Sequence, residues 1–540
     1  MPKITIDQTT VEVTEGTTVI QACDALGVNV PRYCYHPGLS IAGNCRMCLV
    51  EVEKSPKLQI ACNVPVVDGM VVHTQSDRVK KARQEVLEFL LTNHPLDCPV
   101  CDQAGECELQ NYYMDHGLYD PRFEEQKTKK PKVVKLGPTV MLDAERCILC
   151  SRCERFTDEI SKTGEFGIFN RGSHAEIGLY PGKVLDNKYS GNVVDICPVG
   201  ALTDRDFRFK SRVWYLKSAP SICTGCSKGC NIDLHYVLDR PYLADGARAM
   251  RVKPRYHPDV NQWWICDEGR YGYKFIDQAR LTQPQSRSDD QVRSIHWSLA
   301  ISELASRLND AKQNKKLDRW GVIPSPQLTN EELYLIRTFF KEKLGLACSG
   351  SVLEVPGESD GFLIQADRNP NRRGMEEIGL VGPKGGSAGL IDRALKGEIS
   401  ELIVFGHDLV MLYGEDKVRE LVKKTFLVFV GSNENGTSRY AHLILPSAVA
   451  AEKEGTFVNS NGRVQRFRKA FDPLRDAKSE SEIILELANE LQDPLPFGSS
   501  GEIFFALSED VTAFDGLSYE KVGAKGALLS ASRTSMKRAT

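Results

Sequence analysis

Cysteine is the residue type whose distribution in this 540-residue chain points most directly to chemistry. Sixteen of the 17 cysteines lie between Cys23 and Cys266, and fifteen of those sixteen fall into four groups with ligand-like spacing. A disulfide scaffold would be short and secreted, whereas this chain is long and begins without the pattern of a signal peptide. The cysteines therefore indicate metal sites, redox thiols or buried structural residues.

The first group lies in a segment rich in strand patterns. Its members are Cys34, Cys45, Cys48 and Cys62. Three ligands on one loop and a fourth further along are the arrangement of a [2Fe–2S] ferredoxin, although the spacing differs from the plant type. Gly43 would let the backbone turn closely around the inorganic core. A zinc site is the competing interpretation.

The second group combines one imidazole with three thiols. Its members are His94, Cys98, Cys101 and Cys107. Alone, this donor set suits zinc almost as well as an iron–sulfur cluster. A redox dithiol is disfavoured because His94 and Cys107 stand at ligand spacing from the CxxC pair. In a cluster, neutral imidazole in place of thiolate removes negative charge and should raise the reduction potential, as in Rieske centres.

The third group resembles the bacterial ferredoxin run C-x2-C-x2-C-x3-C-P. Its members are Cys147, Cys150, Cys153 and, much later, Cys197 followed by a proline. In two-cluster ferredoxins the fourth cysteine of the run serves the other cluster, and here Thr157 occupies that position. This group therefore predicts one [4Fe–4S] cluster.

The fourth group would suit zinc if it stood alone. Its members are Cys223, Cys226, Cys230 and Cys266. Because it follows three motifs typical of iron–sulfur sites, a further [4Fe–4S] cluster is favoured. The remaining early cysteine, Cys23, lies in a helical apolar pattern and is predicted to be a core residue.

Strands and one long helix must position the first two groups. Residues 4–6 and 11–13 alternate apolar and polar side chains as a hairpin does, and further strands are predicted at 49–53 and 70–72. After Asp77, apolar residues recur at three- and four-residue spacing until Pro95, which predicts a helix. Residues 124–138 are charged and are expected to form a linker.

The second half of the chain has a different pattern. Apolar runs alternate with helical stretches, and they lie at 320–323, 362–364, 402–405, 426–430 and 442–445. Thr329 and Glu332 form a capping-box pattern that predicts a helix over 331–343. The alternation predicts an α/β domain with a largely parallel sheet. After about residue 498 the sequence is rich in Gly, Ser and Ala, which predicts loose order.

Composition excludes several classes of function. With 41% hydrophobic and 26% charged residues and a mean hydropathy of -0.31, the chain is globular. No apolar run approaches the roughly 18–20 residues that span a bilayer, so membrane attachment is expected only through partners. A net charge of -3 gives no case for nucleic acid. The sequence has no glycine motif of the dinucleotide-binding or phosphate-binding type. It therefore predicts that this chain itself holds neither NADH nor flavin.

Together, these motifs resemble the large iron–sulfur subunit of respiratory complex I, the NADH:quinone oxidoreductase. The resemblance runs from about residue 1 to about 475, and it is most specific at 43–50, 94–110, 145–155 and 193–203. Later segments are similar to molybdopterin oxidoreductases, namely 266–273, 441–446 and 454–460. In complex I that domain is a relic without cofactor. The fourth cluster occurs in only some bacterial complexes, so the resemblance points to bacteria.

The resemblance implies an electron-transfer subunit of the peripheral arm, with no catalytic residue of its own. Of the one [2Fe–2S] and three [4Fe–4S] clusters that it implies, the fourth would lie off the main electron route and have a structural role first. Electrons would come from NADH and FMN on a partner subunit, pass along the other clusters, and leave through other partners towards quinone. The membrane arm would couple this to proton translocation, and the chain would lie on the cytoplasmic side of a bacterial inner membrane. The alternatives are an electron-input subunit of an NAD-linked hydrogenase or formate dehydrogenase, and a zinc-dependent assembly scaffold.

The expected fold class is multidomain α+β and α/β. The expected domains are a β-grasp [2Fe–2S] ferredoxin-like domain (1–78), a His-ligated [4Fe–4S] helical segment (79–120), a [4Fe–4S] ferredoxin-like domain (139–212), a [4Fe–4S] molybdopterin-oxidoreductase-type N-terminal domain (216–280), a truncated molybdopterin-oxidoreductase-like α/β domain (281–500) and a C-terminal tail (501–540).

Neither molybdenum nor molybdopterin is expected in the second half. Cys348 lies roughly where that family places a metal ligand, but it lacks the flanking residues of one. Only about 80 residues follow 454–460, where active relatives continue into a further cofactor-binding domain. Cys348 is therefore predicted to be a buried core thiol.

Overall fold

The computed structural model describes residues 1–120, 122–288, 291–350, 357–381 and 386–530. The chain divides into two compact units. The first comprises residues 1–216 with 240–246, and the second comprises 217–239 with 247–540. Within the described ranges, no helix is both long enough and apolar enough to cross a membrane.

The first unit contains small sheets and short helices. Its strands are β1 (Lys3–Ile6), β2 (Thr9–Glu12), β3 (Leu49–Val52), β4 (Gln59–Ile60), β5 (Met70–His73), β6 (Val134–Lys135), β7 (Val140–Leu142), β8 (Phe166–Phe169), β9 (Glu176–Leu179) and β10 (Leu202–Asp204). Its helices are α1 (Val19–Ala25), α2 (Asp77–Asn93), α3 (Glu108–His116), α4 (Arg152–Glu159) and α5 (Asn192–Ile196).

The first 75 residues form a five-stranded sheet of order β2-β1-β5-β3-β4. β1 pairs with β2 as the predicted antiparallel hairpin and with β5 in parallel. The alternating side chains Ile4 and Ile6 are fully buried, and they pack with Val19 and Ile20 of α1. The apolar side chains of the alternating pattern therefore lie on the face of the sheet that the helix covers.

The predicted long helix is confirmed as α2. Its first residue follows Ser76, whose side-chain oxygen accepts from the backbone N–H of Val79 and so satisfies a donor that the helix leaves free. The helix ends at Asn93, two residues before Pro95. Val79 and Leu87 are buried along one face, as the spacing predicts.

The remaining part of the first unit supports the third cysteine group. A three-stranded sheet has the order β10-β7-β6, and β8 and β9 form a separate hairpin. The expected charged linker contributes β6 to this sheet, since Val134 pairs with Leu142. Its lysines are also engaged: Lys132 lies 2.8 Å from Glu145, which is almost fully buried.

The second unit is larger and α/β in character. Its strands are β11 (Lys217–Ile222), β12 (Asn231–Tyr236), β13 (Ala249–Pro254), β14 (Gln285–Ser288), β15 (Gln291–Ser294), β16 (Trp320–Ile323), β17 (Ala347–Cys348), β18 (Glu401–Phe405), β19 (Phe426–Gly431), β20 (Leu443–Pro446), β21 (Gly455–Val458), β22 (Arg463–Phe467) and β23 (Ala527–Leu528). Its helices are α6 (Asp267–Tyr271), α7 (Trp297–Gln313), α8 (Asn330–Leu335), α9 (Arg372–Glu377), α10 (Ala388–Leu395), α11 (Leu409–Tyr413), α12 (Glu415–Val422), α13 (Gly436–Tyr440), α14 (Glu480–Glu490), α15 (Ser500–Asp510) and α16 (Tyr519–Val522).

A seven-stranded sheet of order β15-β14-β20-β19-β18-β16-β17 organises this unit. The run from β20 to β17 is parallel throughout, while β14 is antiparallel to β20. Both faces are covered, because Ile403 belongs to an apolar cluster with α7 and α14, and Leu402 to one with α10 and α12. The largely parallel α/β sheet is therefore confirmed.

Two expectations for this unit need correction. The helix predicted over 331–343 begins at the predicted capping box, but it continues beyond α8 as π-helical turns, Ile336–Lys343. The segment 362–364 forms no strand in the part of the chain that the structure describes.

The expectation of a loosely ordered tail after about residue 498 is wrong for residues 500–530. α15 and α16 lie there, and Ile503, Phe504, Leu507 and Phe514 are almost fully buried in the larger apolar core. Composition predicted loose order because Gly, Ser and Ala outnumber these few apolar anchors. Residues 531–540 lie outside the described ranges.

Candidate iron–sulfur cluster sites

The first ligand group lies on the loop between α1 and β3 and just after β4. Cys34, Cys48 and Cys62 are at most 1% exposed. The thiol of Cys45 hydrogen-bonds Cys34 and lowers its pKa to about 5, and Cys62 likewise lowers the pKa of Cys48 to about 7. Two hydrogen-bonded sulfur pairs, one of them fully buried, therefore lie at this end of the sheet, and within each pair the hydrogen bond favours the thiolate form that binds iron.

The second group begins at the residue that ends α2. His94 has extended backbone there, and its Nδ1 is buried with no hydrogen-bond partner. Burial lowers the pKa of His94 to about 4, so the imidazole is neutral, which is the form that binds a metal. Cys101 and Cys107 are buried, whereas Cys98 is exposed. Cys107 also directly precedes α3.

The third group surrounds a small cavity. Cys147, Cys150, Cys153 and Cys197 all line it. Burial raises the pKa of Cys147 and Cys150 to about 12 and that of Cys197 to about 11. Cys150 lies between Leu149 and Ser151, which both adopt left-handed backbone with φ of 55° and 56°. The chain thus wraps around the cavity at some conformational cost.

The fourth group belongs to the second unit. Cys223, Cys226 and Cys230 lie on the loop between β11 and β12, and Cys266 precedes α6. All four are less than 10% exposed. The Cys266 sulfur accepts from the backbone N–H of Gly269 at 3.3 Å.

Close approach of the backbone to the sulfurs supports the fit of these sites to clusters. A Cβ at Gly200, just after the third group, would collide with Cys101 Sγ. A Cβ at Gly269 would lie 3.0 Å from Cys223 Sγ. Within the described ranges, no three His, Cys, Asp or Glu side chains are arranged to hold a single metal ion. Thiolate and imidazole donors, burial and the unpartnered His94 Nδ1 match the ligands of iron–sulfur clusters.

The second unit contains a buried cluster of ionic side chains that the sequence analysis did not predict. Lys453 Nζ donates to Glu332 Oε1 at 2.7 Å and to Glu480 Oε2 at 2.6 Å. Burial and the neighbouring Glu332 raise the pKa of Glu480 to about 8. Next to them, Glu331 accepts from the Tyr519 hydroxyl at 2.9 Å, and burial raises its pKa to about 7. The sequence identified only Glu332, as a capping residue.

A cavity of about 460 Å³ extends from the fourth ligand group to this ionic group. Cys223 and Gly269 line one part, and Lys453 and Glu480 another. Gly406, just after β18, and the ends of neighbouring parallel strands complete the wall. In open α/β sheets this edge is where ligands bind.

The two remaining cysteines lie in apolar surroundings. Cys23 is fully buried in the core beneath the first sheet, and burial raises its pKa to about 12. Cys348 lies on β17, opposite Val322. It is half-buried rather than fully buried as predicted, and it packs against the larger core of the second unit. Burial raises its pKa to about 12 as well. Among the described residues, Cys348 is not one of those that line the 460 Å³ cavity.

Comparison with protein-family models divides the chain in a consistent way. The matching models are the 2Fe-2S iron-sulfur cluster binding domain (residues 2–77), the NADH-ubiquinone oxidoreductase-G iron-sulfur binding region (83–122), the ferredoxin-like domain of NADH-quinone oxidoreductase subunit 3 (137–203), the molybdopterin oxidoreductase Fe4S4 domain (216–278) and molybdopterin oxidoreductase (365–490). The fold is thus multidomain and mixed α/β, with domains of these kinds.

Alignments with similar proteins cover most of the chain. The G-type subunit of NADH-quinone oxidoreductase from Rickettsia conorii is 31% identical and aligns over 95% of this chain and 91% of its own length. The mitochondrial NADH-ubiquinone oxidoreductase 78 kDa subunit of Candida albicans is 31% identical over 94% of this chain and 85% of its own length. A chain of a solved NAD+-reducing [NiFe]-hydrogenase is 28% identical over 39% of this chain and 91% of its own, with a TM-score of 0.36.

Proposed function

This chain belongs to the family of G-type subunits of NADH-quinone oxidoreductase, and from that premise we propose that its sixteen predicted ligands hold four iron–sulfur clusters. The chain is an electron-transfer subunit of complex I, an oxidoreductase. When bound, the clusters would act as one-electron carriers. The chain's own residues ligate them, exclude water and set each potential through nearby hydrogen bonds and charges.

We assign the ligands as one [2Fe–2S] and three [4Fe–4S] sets. The [2Fe–2S] ligands are Cys34, Cys45, Cys48 and Cys62; the [4Fe–4S] ligands are His94, Cys98, Cys101 and Cys107, then Cys147, Cys150, Cys153 and Cys197, then Cys223, Cys226, Cys230 and Cys266. The observation that carries this assignment is the burial of most of the sulfur donors, together with the unpartnered Nδ1 of His94. Each set also lies within one of the domain boundaries proposed from the sequence.

The proposed partners are the NADH/FMN-binding subunit and the subunits that lead to quinone. The complex is membrane-associated, and we place the chain on the cytoplasmic side of a bacterial inner membrane, attached through those partners. Affinity purification from membranes tests this proposal. We expect co-purification with quinone-reductase subunits, together with iron, acid-labile sulfide and EPR signals on reduction. Co-purification with a hydrogenase or formate dehydrogenase would contradict it, and zinc without sulfide would indicate a scaffold.

Replacing His94 with cysteine tests the second ligand set. We expect His94→Cys to retain an assembled cluster, because thiolate binds iron, but to lower its reduction potential, because thiolate adds negative charge. An EPR-monitored redox titration of the purified complex measures the shift. His174→Cys is the matched control, since His174 is exposed. An unchanged potential in His94→Cys would exclude His94 as a ligand.

Elemental analysis tests the absence of a bound molybdenum or tungsten cofactor. Two features support this absence. Cys348 packs against an apolar core, and Lys453 at the cavity wall is already held by two carboxylates. We expect abundant iron and no molybdenum or tungsten in the purified subunit. One equivalent of either metal that disappears in Cys348→Ala would contradict the proposal and indicate a formate-dehydrogenase-like site.

A further inference from the structure

Ligand loops of the first unit meet around α4. This helix begins at Arg152, between the predicted ligands Cys150 and Cys153. Arg152 is only 6% exposed, and Arg155, about one turn later, is half-buried. Neither side chain belongs to a predicted ligand set. A buried guanidinium is costly unless it is paired or hydrogen-bonded, so the contacts of Arg152 show what its burial achieves.

Arg152 contacts one residue adjacent to each ligand set in this unit. Its Nη2 donates at 2.8 Å to the carbonyl of Tyr35, which follows the first [2Fe–2S] ligand. Its Nη1 donates at 3.0 Å to the carbonyl of Ile196, which precedes the last ligand of the third set. Its Nη2 also lies 3.7 Å from Oε2 of Glu108, which follows the last ligand of the His94 set.

Arg155 reinforces one of these junctions. Its Nη2 donates to the carbonyl of Cys34 at 2.6 Å and to that of Cys150 at 3.3 Å. Its Nη1 donates to the carbonyl of Ser40. From the last turn of the same helix, Glu159 accepts from the backbone N–H of Ser40 at 2.8 Å. One face of α4 thus holds the [2Fe–2S] loop against the third ligand set.

We propose that Arg152 is a positioning residue for electron transfer: it fixes the separation and orientation of three ligand loops and places a positive charge where they meet. The proposal rests on the ligand sets assigned above. A guanidinium is suited to this role because its planar fork presents several donors in fixed directions, whereas lysine offers a single compact charge. A fixed cation near the clusters also stabilises their reduced, more negative forms.

Two substitutions separate the geometric role from the charge. Arg152→Lys keeps the charge but cannot reproduce the fork, and Arg152→Gln removes the charge. Arg171→Gln is the matched control, because it removes an exposed guanidinium from the same unit. Each variant is purified as the whole complex, and its iron content and its cluster EPR signals are compared with those of the wild type.

Reduction potentials and magnetic coupling between reduced centres are then measured by EPR. We expect altered coupling in both Arg152 variants, and lower potentials in Arg152→Gln for the centres bound by the first and third sets. We expect NADH-to-quinone turnover to fall about 10- to 100-fold, as for other residues that support metal ligands. A purely structural role would lower the yield of the complex without shifting the potentials of the clusters that remain.

Wild-type potentials and coupling in an iron-replete Arg152→Gln complex would overturn the proposal. If the Arg152→Gln complex loses iron, the Arg152→Lys complex tests the proposal instead: magnetic coupling equal to that of the wild type would overturn it. If both lose iron, Arg155→Gln decides: we expect altered coupling between the first and third centres only, and wild-type coupling would refute the role of α4. Absence of clusters from the wild-type complex would instead reject the ligand sets themselves.

Discussion

Replacing Cys150 with serine is expected to abolish electron flow from NADH to quinone. Cys150 lies on the wall of the small cavity formed by the third ligand set, between two residues in left-handed backbone conformation. The hydroxyl of serine is a poor substitute for a thiolate as a ligand of iron. The measurement is NADH:quinone turnover in a fully assembled Cys150→Ser complex. Wild-type turnover there would exclude the third set from the electron path.

Cys226→Ser is the matched comparison in the second unit. The family resemblance gives the expectation that the fourth cluster lies off the main route. We therefore expect Cys226→Ser to retain turnover in fully assembled complex, but to weaken the subunit, because the ligand loop between β11 and β12 loses an anchor. Susceptibility to urea measures this effect. Loss of turnover in fully assembled Cys226→Ser complex would show that the fourth cluster carries electrons.

Removing the cation from the buried ionic group of the second unit is expected to destabilise it strongly. Lys453→Met leaves the buried Glu332 carboxylate without its counter-charge and Glu480 without its hydrogen-bond donor, and breaking a buried pair in this way typically costs about 3–5 kcal/mol. The measurement is urea unfolding of the purified chain, followed by tryptophan fluorescence. Lys469→Met is the control: its ion pair with Asp472 is exposed, so we expect little change.

The stability of this unit should also depend on pH. Burial, with Glu332 nearby, raises the pKa of Glu480 to about 8, and burial raises the pKa of Glu331 to about 7, compared with 4.5 for a free glutamic acid. Between about pH 4.5 and 8 the folded chain therefore binds more protons than the unfolded chain, so the free energy of unfolding falls as pH rises. The loss in Lys453→Met should grow over the same range. Glu331→Gln should flatten the dependence, and an unchanged slope would contradict this account.

Local pattern was sufficient to group the candidate ligands and to predict eight of the 23 described strands. Ligand spacing within a loop and alternation within a strand are properties of neighbouring residues, so Cys147–Cys153 and the hairpin of β1 and β2 could be read directly. The roles of Arg152 and Lys453 could not be read in this way. The carbonyl that Arg152 contacts in Tyr35 is 117 residues away in sequence, and the Glu332 that binds Lys453 is 121 residues away. Only tertiary folding brings these partners together.

The antiparallel pairing of β14 with β20 has a consequence for the order of events during synthesis. Gln285 of β14 pairs with Ile444 of β20, so β14 has no partner on that side until more than 150 further residues have left the ribosome. At about 5–20 residues per second, this wait lasts on the order of ten seconds. By contrast, every ligand of the first three sets is present once Cys197 has been made. The proposed ligand sets of the first unit are therefore complete while the second unit still has an open sheet edge, a stage at which unpaired edges favour aggregation.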